Sequence, residues 1–483
     1  MVRRVASGTC PSQATILTAK RKAKRSVSWG RWWRSSIYWL EWRLSVSRRT
    51  LLLSALGGGV WRAFGQAESG GWAMARVRGF LGDRLERNLS QYLKTFDIHR
   101  HVGLIENGGG NGAGLIAGRW LEASFRAVEL SGDAFLRQRA WGMLDRILGS
   151  ARGQGAPFPE MGREDEEALA GALQAAAKFW QNGPAQILAE RLAERLAQRL
   201  AELGSGRQRL EAAAVVRITE TERLAAVLPE LQVMLTLTRD GIWGDAIETL
   251  LWNQVPGCQT FEGDGFRVAA GFAGGPGELA GERVGAAGAL MLARVPWMFY
   301  ESEAGRVWVH QYGLSEALVG VGGKRVKIEQ TSVFPGPEVV VRPGPGEYEL
   351  RLRIPGWAEK VSLVLNGAEM PVAAERGYVG IARQWQAGDE VRLRVPAAPG
   401  WVRREDGEFA FWLGPLLYCV RWGEPLRVRR RGIEPVIVTP PEQPGPAYRL
   451  RMILESGREA DARAEPFARS GWGGPYRTGM LLE

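Results

Sequence analysis

The sequence predicts an α + β multidomain protein in which a helical domain precedes one or two small β domains. Three observations carry that expectation: a length of 483 residues, a change of hydrophobic period near Pro296, and a basic excess confined to the first 67 residues. With 45% hydrophobic and 24% charged residues, the chain has an ordinary globular composition and enough apolar surface for more than one core. Collagen-like, largely disordered and multi-span membrane chains are excluded.

The net charge of +11 points to a polyanion partner until it is located. Residues 1–67 hold thirteen Lys and Arg against the single acid Glu41, a net of +12, so the remaining 416 residues carry −1. The body of the chain therefore has no basic excess with which to engage phosphates, and nucleic acid is not an expected partner. Within the leader, Ser47-Arg48-Arg49-Thr50 precedes the apolar run Leu51–Trp61, which is too short to span a bilayer. A cationic segment, a short apolar segment and small residues near Gly65-Gln66-Ala67 make a leader of the twin-arginine export type, and the paired arginines are its mark. The competing reading is a basic amphipathic segment at a membrane surface, since Trp29, Trp32, Trp33, Trp39 and Trp42 interleave with Arg31, Arg34 and Arg43. The long stretch before the arginine pair suggests that translation starts near Leu44 or Val46. The expected location is periplasmic or extracellular, with no stable membrane span and fold reasoning starting at residue 68.

From Val77 to Pro296 apolar residues recur at spacings of three and four, the helical period. Pro184–Leu203 is the clearest case: Pro184 suits a first turn, Leu188, Leu192, Leu196, Leu200 and Leu203 form one stripe, and Gly204 follows as a cap. Leu115–Leu130 and Ala134–Leu148 are two more. After Pro296 the period drops to two in Arg306–His310, Glu338–Arg342 and Glu347–Ile354, separated by Gly/Pro turns. Regularly spaced short strands indicate a β-sandwich. Phe409–Val420 and Ala447–Leu454 extend or flank it. The expected domains are the leader 1–67, a helical domain 68–296, a β-sandwich 297–400 and a C-terminal β-rich region 401–483.

Three cysteines and three histidines limit the chemistry. Cys258 and Cys419 could form one bridge at most, so the chain is not a disulfide scaffold. No spacing among His99, His101, His310 and these cysteines supplies an ordinary zinc site, and His99-x-His101 reads as surface. The run Gly108–Gly114 fails the Rossmann spacing at Ala113 and lacks the Lys-Ser/Thr ending of a P-loop. It reads as a loop leading into a helix.

Six segments in register resemble the β-L-arabinofuranosidase-like glycoside hydrolases, glycoside hydrolase family 127 and its relatives. They are Gly82–Asn88, Ala117–Ala123, Leu237–Asn253 ("LTRDGIWGDAIETLLWN"), 261–266 ("FEGDGF"), 349–358 ("ELRLRIPGWA") and 414–419 ("GPLLYC"). The resemblance implies an (α/α) barrel, here trimmed, joined to β-sandwich domains, and a non-reducing-end sugar of an arabinose-containing or related glycan as ligand. It also implies a zinc-bound thiolate nucleophile, supplied by a Glu-Thr-Cys motif and a later Cys-Cys pair. Here the first motif reads Glu220-Thr221-Glu222, and the second falls on Arg283-Val284. Both thiol positions are empty, so the family zinc site is not preserved and no cofactor is expected. The segment between Glu160 and Glu211 is also shortened, and Leu115-Ile116 is apolar where many relatives are polar.

Glycoside hydrolysis without metal needs two carboxyl groups, ~5–5.5 Å apart for retention or ~6.5–9.5 Å for inversion. Glu220, Glu222 and Glu160 are the catalytic candidates, with Glu106 and Glu282 as further carboxylates. Glu220 and Glu222 face the same way only off a helix; on one they diverge by about 200°. Glu106, Arg119, Trp120 and Trp243 are the candidate sugar contacts, the tryptophans by stacking. The plain alternatives are a core Trp120, a packed Trp243 and an Arg119 paired with Glu122 across one helical turn. Two readings follow: an exported glycosidase using carboxylates around Glu220, or a degenerate relative that keeps a sugar cleft. The degenerate relative would have its former site apolar, filled, or lined by an unpaired Arg283. Cys258 or Cys419 beside Glu220, able to replace the missing thiols, would count against it.

Overall fold

The computed structural model describes residues 70–108, 112–152, 158, 161–202, 217–422, 425–429, 433–436, 444–454 and 456–483. The leader with its arginine pair, Glu160 and Gly204 lie outside the described residues. Among those described, no helix is long and apolar enough to cross a membrane.

The helical region comprises α1 (Gly79–Arg87), α2 (His99–Glu106), α3 (Ala113–Ser131), α4 (Ala134–Arg152), α5 (Arg163–Trp180), α6 (Gly183–Glu202), α7 (Thr221–Thr238), α8 (Gly241–Trp252) and α9 (Glu282–Arg294). The three helices expected from periodicity appear as α3, α4 and α6, with bounds shifted by four residues or fewer. The central helix is α3, buried on almost every side from Ala113 to Val128. Its glycines set its distance from α5: a Cβ on Gly118 would lie 2.4 Å from the Ala168 carbonyl carbon, and one on Gly114 2.7 Å from Asp165 Cβ. Asp165 accepts from the Leu115 amide at 2.8 Å and the Gly112 amide at 3.3 Å, so a resident carboxylate caps the helix that follows the Gly-rich run. That occupied N-terminus leaves no room for a phosphate.

Strand Arg306–Val309 and its successors form two sheets. One has six strands in the order Gly70–Ala73, Tyr300–Glu303, Arg306–Val309, Gly346–Arg353, Tyr378–Trp385, Ala374–Glu375. The other has seven and ends on Ala75–Val77, which pairs antiparallel with Ser315–Val321. The boundary at 68 therefore needs correcting: residues 70–77 belong to the sandwich sheets, and the helices begin at Gly79. Two runs of four and three residues are too short to display a period of two. The C-terminal strands build their own eight-stranded sheet, in which Phe409–Leu413 pairs with both Leu416–Val420 and Gly479–Leu482.

A buried polar junction locks the helical region to the sandwich. Arg353 is fully buried and ion-paired with both Asp245 and Glu248 of α8, while its Nε donates to the His310 carbonyl at 2.6 Å. Glu248 also accepts from Trp357 Nε1 at 2.7 Å, and Asp245 from the Gly356 amide at 3.1 Å. Beside them Glu301 pairs with Arg239 at 2.5 Å and with His310 Nε2 at 3.1 Å. Asn253 donates to the Pro415 carbonyl and accepts from the Leu417 amide, each at 2.8 Å, tying α8 to the C-terminal sheet. Arg84 of α1 donates to Gln259 at 2.7 Å and to the Thr260 carbonyl at 3.0 Å.

Candidate functional site

The first turns of α3, α5, α7 and α9 converge at one end of the helical region. Acidic residues occupy the starts of three of them, Glu164-Asp165-Glu166, Glu222 and Glu282, where carboxylates are favoured by the helix dipole. Glu220 is the N-cap of α7 in extended conformation. The backbone there is held by Thr221, whose amide donates to the Val268 carbonyl at 2.9 Å and whose hydroxyl donates to the Arg267 carbonyl at 2.6 Å.

Glu222 Oε1 accepts from Arg119 Nη1 and from Arg283 Nε, each at 2.9 Å. Arg119 also donates to the Arg283 carbonyl at 3.1 Å, and Arg283 Nη2 to Glu164 Oε2 at 2.8 Å. Burial alone would raise the Glu222 pKa, but the hydrogen bonds and charges of the two arginines outweigh it and hold the carboxyl below its usual range. Desolvation in turn lowers Arg119, against the pull of Glu222. One turn deeper on α3, the buried Glu122 takes Arg126 at 2.9 Å and Arg294 at 2.9 Å. Burial opposes its ionisation, yet the two arginines bring it down to about 2. Arg119 therefore pairs across to α7 and not with Glu122.

Two positions that the resemblance assigns to cysteine, Glu222 and Arg283, are thus in direct contact. Arg283 is paired, not solitary, and it belongs to an alternating chain of charges with Glu164, Glu222 and Arg119. Zinc does not fit this set. Two guanidiniums would repel a dication, and among the described residues no group of three or more His, Cys, Asp or Glu could hold a metal. Cys258 does lie close to the Glu220 segment, its thiol 3.7 Å from the Thr219 carbonyl. It is completely buried, and burial together with the Glu220 charge pushes its pKa up to about 11, so it stays a neutral thiol. Cys419, buried in strand Leu416–Val420, is pushed up to about 12 by burial.

The other sequence candidates disperse. Glu220 is about half exposed and reaches Arg223 at 3.5 Å; it and Glu222, two residues on, have different partners. Glu106, at the end of α2, is clamped by Arg146 at 2.5 Å, which lowers its pKa. Trp120 is core: fully buried, donating to the Leu93 carbonyl at 3.1 Å, with Arg139 over its ring. Trp243 stands partly exposed on the first turn of α8, the junction helix. His101 is not a surface residue. It is buried, with Nε2 3.2 Å from Glu282, the residue before Arg283. Glu164 is the member of the cluster that sequence reasoning missed, and the burial of His101 was missed as well. Glu164 sits in an acidic helix start like many others, and nothing local marks His101 as buried.

Comparison with known proteins defines the fold, which is that of the solved family 127 glycoside hydrolases. Residues 306–397 match the family described as Beta-L-arabinofuranosidase, GH127 middle domain. A GH127 β-arabinofuranosidase structure is similar over 86% of this chain and 98% of its own, with TM-score 0.69 and 13% identity. A GH127 β-L-arabinofuranosidase from Geobacillus stearothermophilus T6 is similar over 84% and 99%, with TM-score 0.69 and 15% identity. A further structure described as a glycoside hydrolase gives TM-score 0.68 at 13% identity, over 88% and 99%. No curated protein matches in sequence. Residues 306–397 are thus similar to a GH127 middle domain, the chain shares its fold with the GH127 structures, and its helical region carries arginine and glutamate where the resemblance expects sulfur.

Proposed function

We propose that the protein is an exported carbohydrate-binding relative of the GH127 glycosidases in which the zinc-thiolate chemistry is lost. The observation that carries this reading is the Glu222 carboxylate bridging Arg119 and Arg283, at 2.9 Å from each. A guanidinium remains protonated at any ordinary pH, so Arg283 can neither attack an anomeric carbon nor ligate a metal. Glu222, held ionised by the same pair, is unsuited to donate a proton to a leaving group. The ligand class, an arabinose-containing or related glycan, follows the activity named for the similar structures.

The test uses the full chain with aryl arabinosides and related aryl glycosides, with and without zinc, alongside calorimetric titration of the free sugars. Binding without turnover, and no change on adding zinc, is the expected result. Zinc-dependent turnover would overturn the proposed loss of the metal site. Metal-independent turnover abolished by Glu220→Gln would instead support an enzyme working through its carboxylates. Export is tested separately by fusing residues 1–67 to a reporter: replacing Arg48 and Arg49 with Lys should retain it inside the cell.

A further inference from the structure

Resting on the reading above that this end of the helical region binds a sugar, we infer that its ligand is acidic: a glycan residue bearing a ring carboxylate, anchored on Arg283 with displacement of Glu164. The inner part of the cluster, Arg119, Glu222 and Arg283, carries two positive charges and one negative. Both arginines donate to the same carboxylate oxygen, Glu222 Oε1. The fourth member balances the set from outside. Glu164 reaches Arg283 through one bond of 2.8 Å, with 62% of its own side chain and 50% of that of Arg283 exposed. An exposed pair of this kind is worth about 0–1 kcal/mol and is screened by salt, so it is the weak link.

Arg283 Nη1 has no hydrogen-bond partner among the described residues and half of that side chain is exposed, so a carboxylate arriving there meets an unused N–H group. It would replace Glu164 on a guanidinium edge already oriented by Glu222, and a planar carboxylate matches that edge with two parallel hydrogen bonds. A neutral sugar offers only hydroxyls in exchange for the Glu164 carboxylate and gains none of this charge. The substitution of sulfur by arginine thus changes what the site recognises as well as what it can catalyse.

The experiment titrates the full chain with glucuronate and galacturonate, with glucose, galactose and arabinose, and with sodium sulfate at matched ionic strength. Uronates should bind at least tenfold more tightly than the neutral sugars. Arg283→Gln should abolish that preference, and Glu164→Gln, which removes the competing counter-ion, should strengthen uronate binding several-fold. The unfolding temperature of each variant is recorded with the titrations. If neutral sugars bind as well as uronates, the acidic-ligand inference is overturned while sugar binding stands. If no sugar binds, both are overturned. Sulfate competing as well as a uronate would mark a bare anion site and overturn the inference, and so would a Glu164→Gln variant that binds uronates more weakly.

Discussion

The domain junction and the converging helix starts are both built from arginines and carboxylates, yet they differ in access to water. At the junction Arg353 is completely buried, and Asp245 and Glu248 nearly so. At the helix starts Glu222 is about one-third exposed and Arg283 half exposed. In the first setting each charge needs its partner to remain in the interior; in the second the partners are exchangeable. The same side-chain chemistry is scaffold in one place and a candidate binding surface in the other.

The contrast is open to direct attack. Arg353→Met strands two buried carboxylates and should destabilise the protein by about 3–5 kcal/mol in denaturant titrations; a loss near zero would erase the distinction. A subtler effect concerns protons. Three buried carboxylates, Asp245, Glu248 and Glu301, face two guanidiniums, Arg353 and Arg239. Burial, with the push of Glu248 and against the pull of Arg353, raises Asp245 to about 7. Because its pKa is higher folded than unfolded, the native state binds the extra proton, and stability should fall as pH rises from about 4 through 7. Asp245→Asn should flatten that slope, as read from denaturation midpoints across the range. The smallest effect belongs to Glu222→Gln, expected to change stability by less than about 1 kcal/mol while altering ligand titrations. A cost as large as that of Arg353→Met would make the helix-start cluster a structural element like the junction.

The two regions were also unequally legible. The segments that carry the family resemblance prove to be those that hold the molecule together. Asp245 and Glu248 from one meet Arg353 and Trp357 from another, Asn253 meets the Gly414–Cys419 segment, and Arg84 meets Phe261. Those residues have demanding geometry and leave clear patterns. The helix-then-strand division was readable for the same reason, since burial on one face imposes a period. The site was only half readable. Glu222 and Arg283 stood out against the family pattern, and the structure puts them in contact. Their completion by Glu164 depends on how α5 packs against α3, through the close approach of Gly114 and Gly118. No local motif encodes that approach. In the sequence Trp120 leaves two readings open, a sugar contact or a core residue, and the enclosed helix that carries it makes it core.

Strands Gly70–Ala73 and Ala75–Val77 find their hydrogen-bonding partners at Tyr300–Glu303 and Ser315–Val321. On the ribosome these two short stretches emerge long before the residues they pair with, and the entire helical region is synthesised in the interval. The sandwich can close only after that region has appeared, and every such pairing spans more than two hundred positions, which slows the search. The helices are therefore an insertion carried between two parts of one β structure, and a nascent chain must keep its first strands unpaired until the end of the loop arrives.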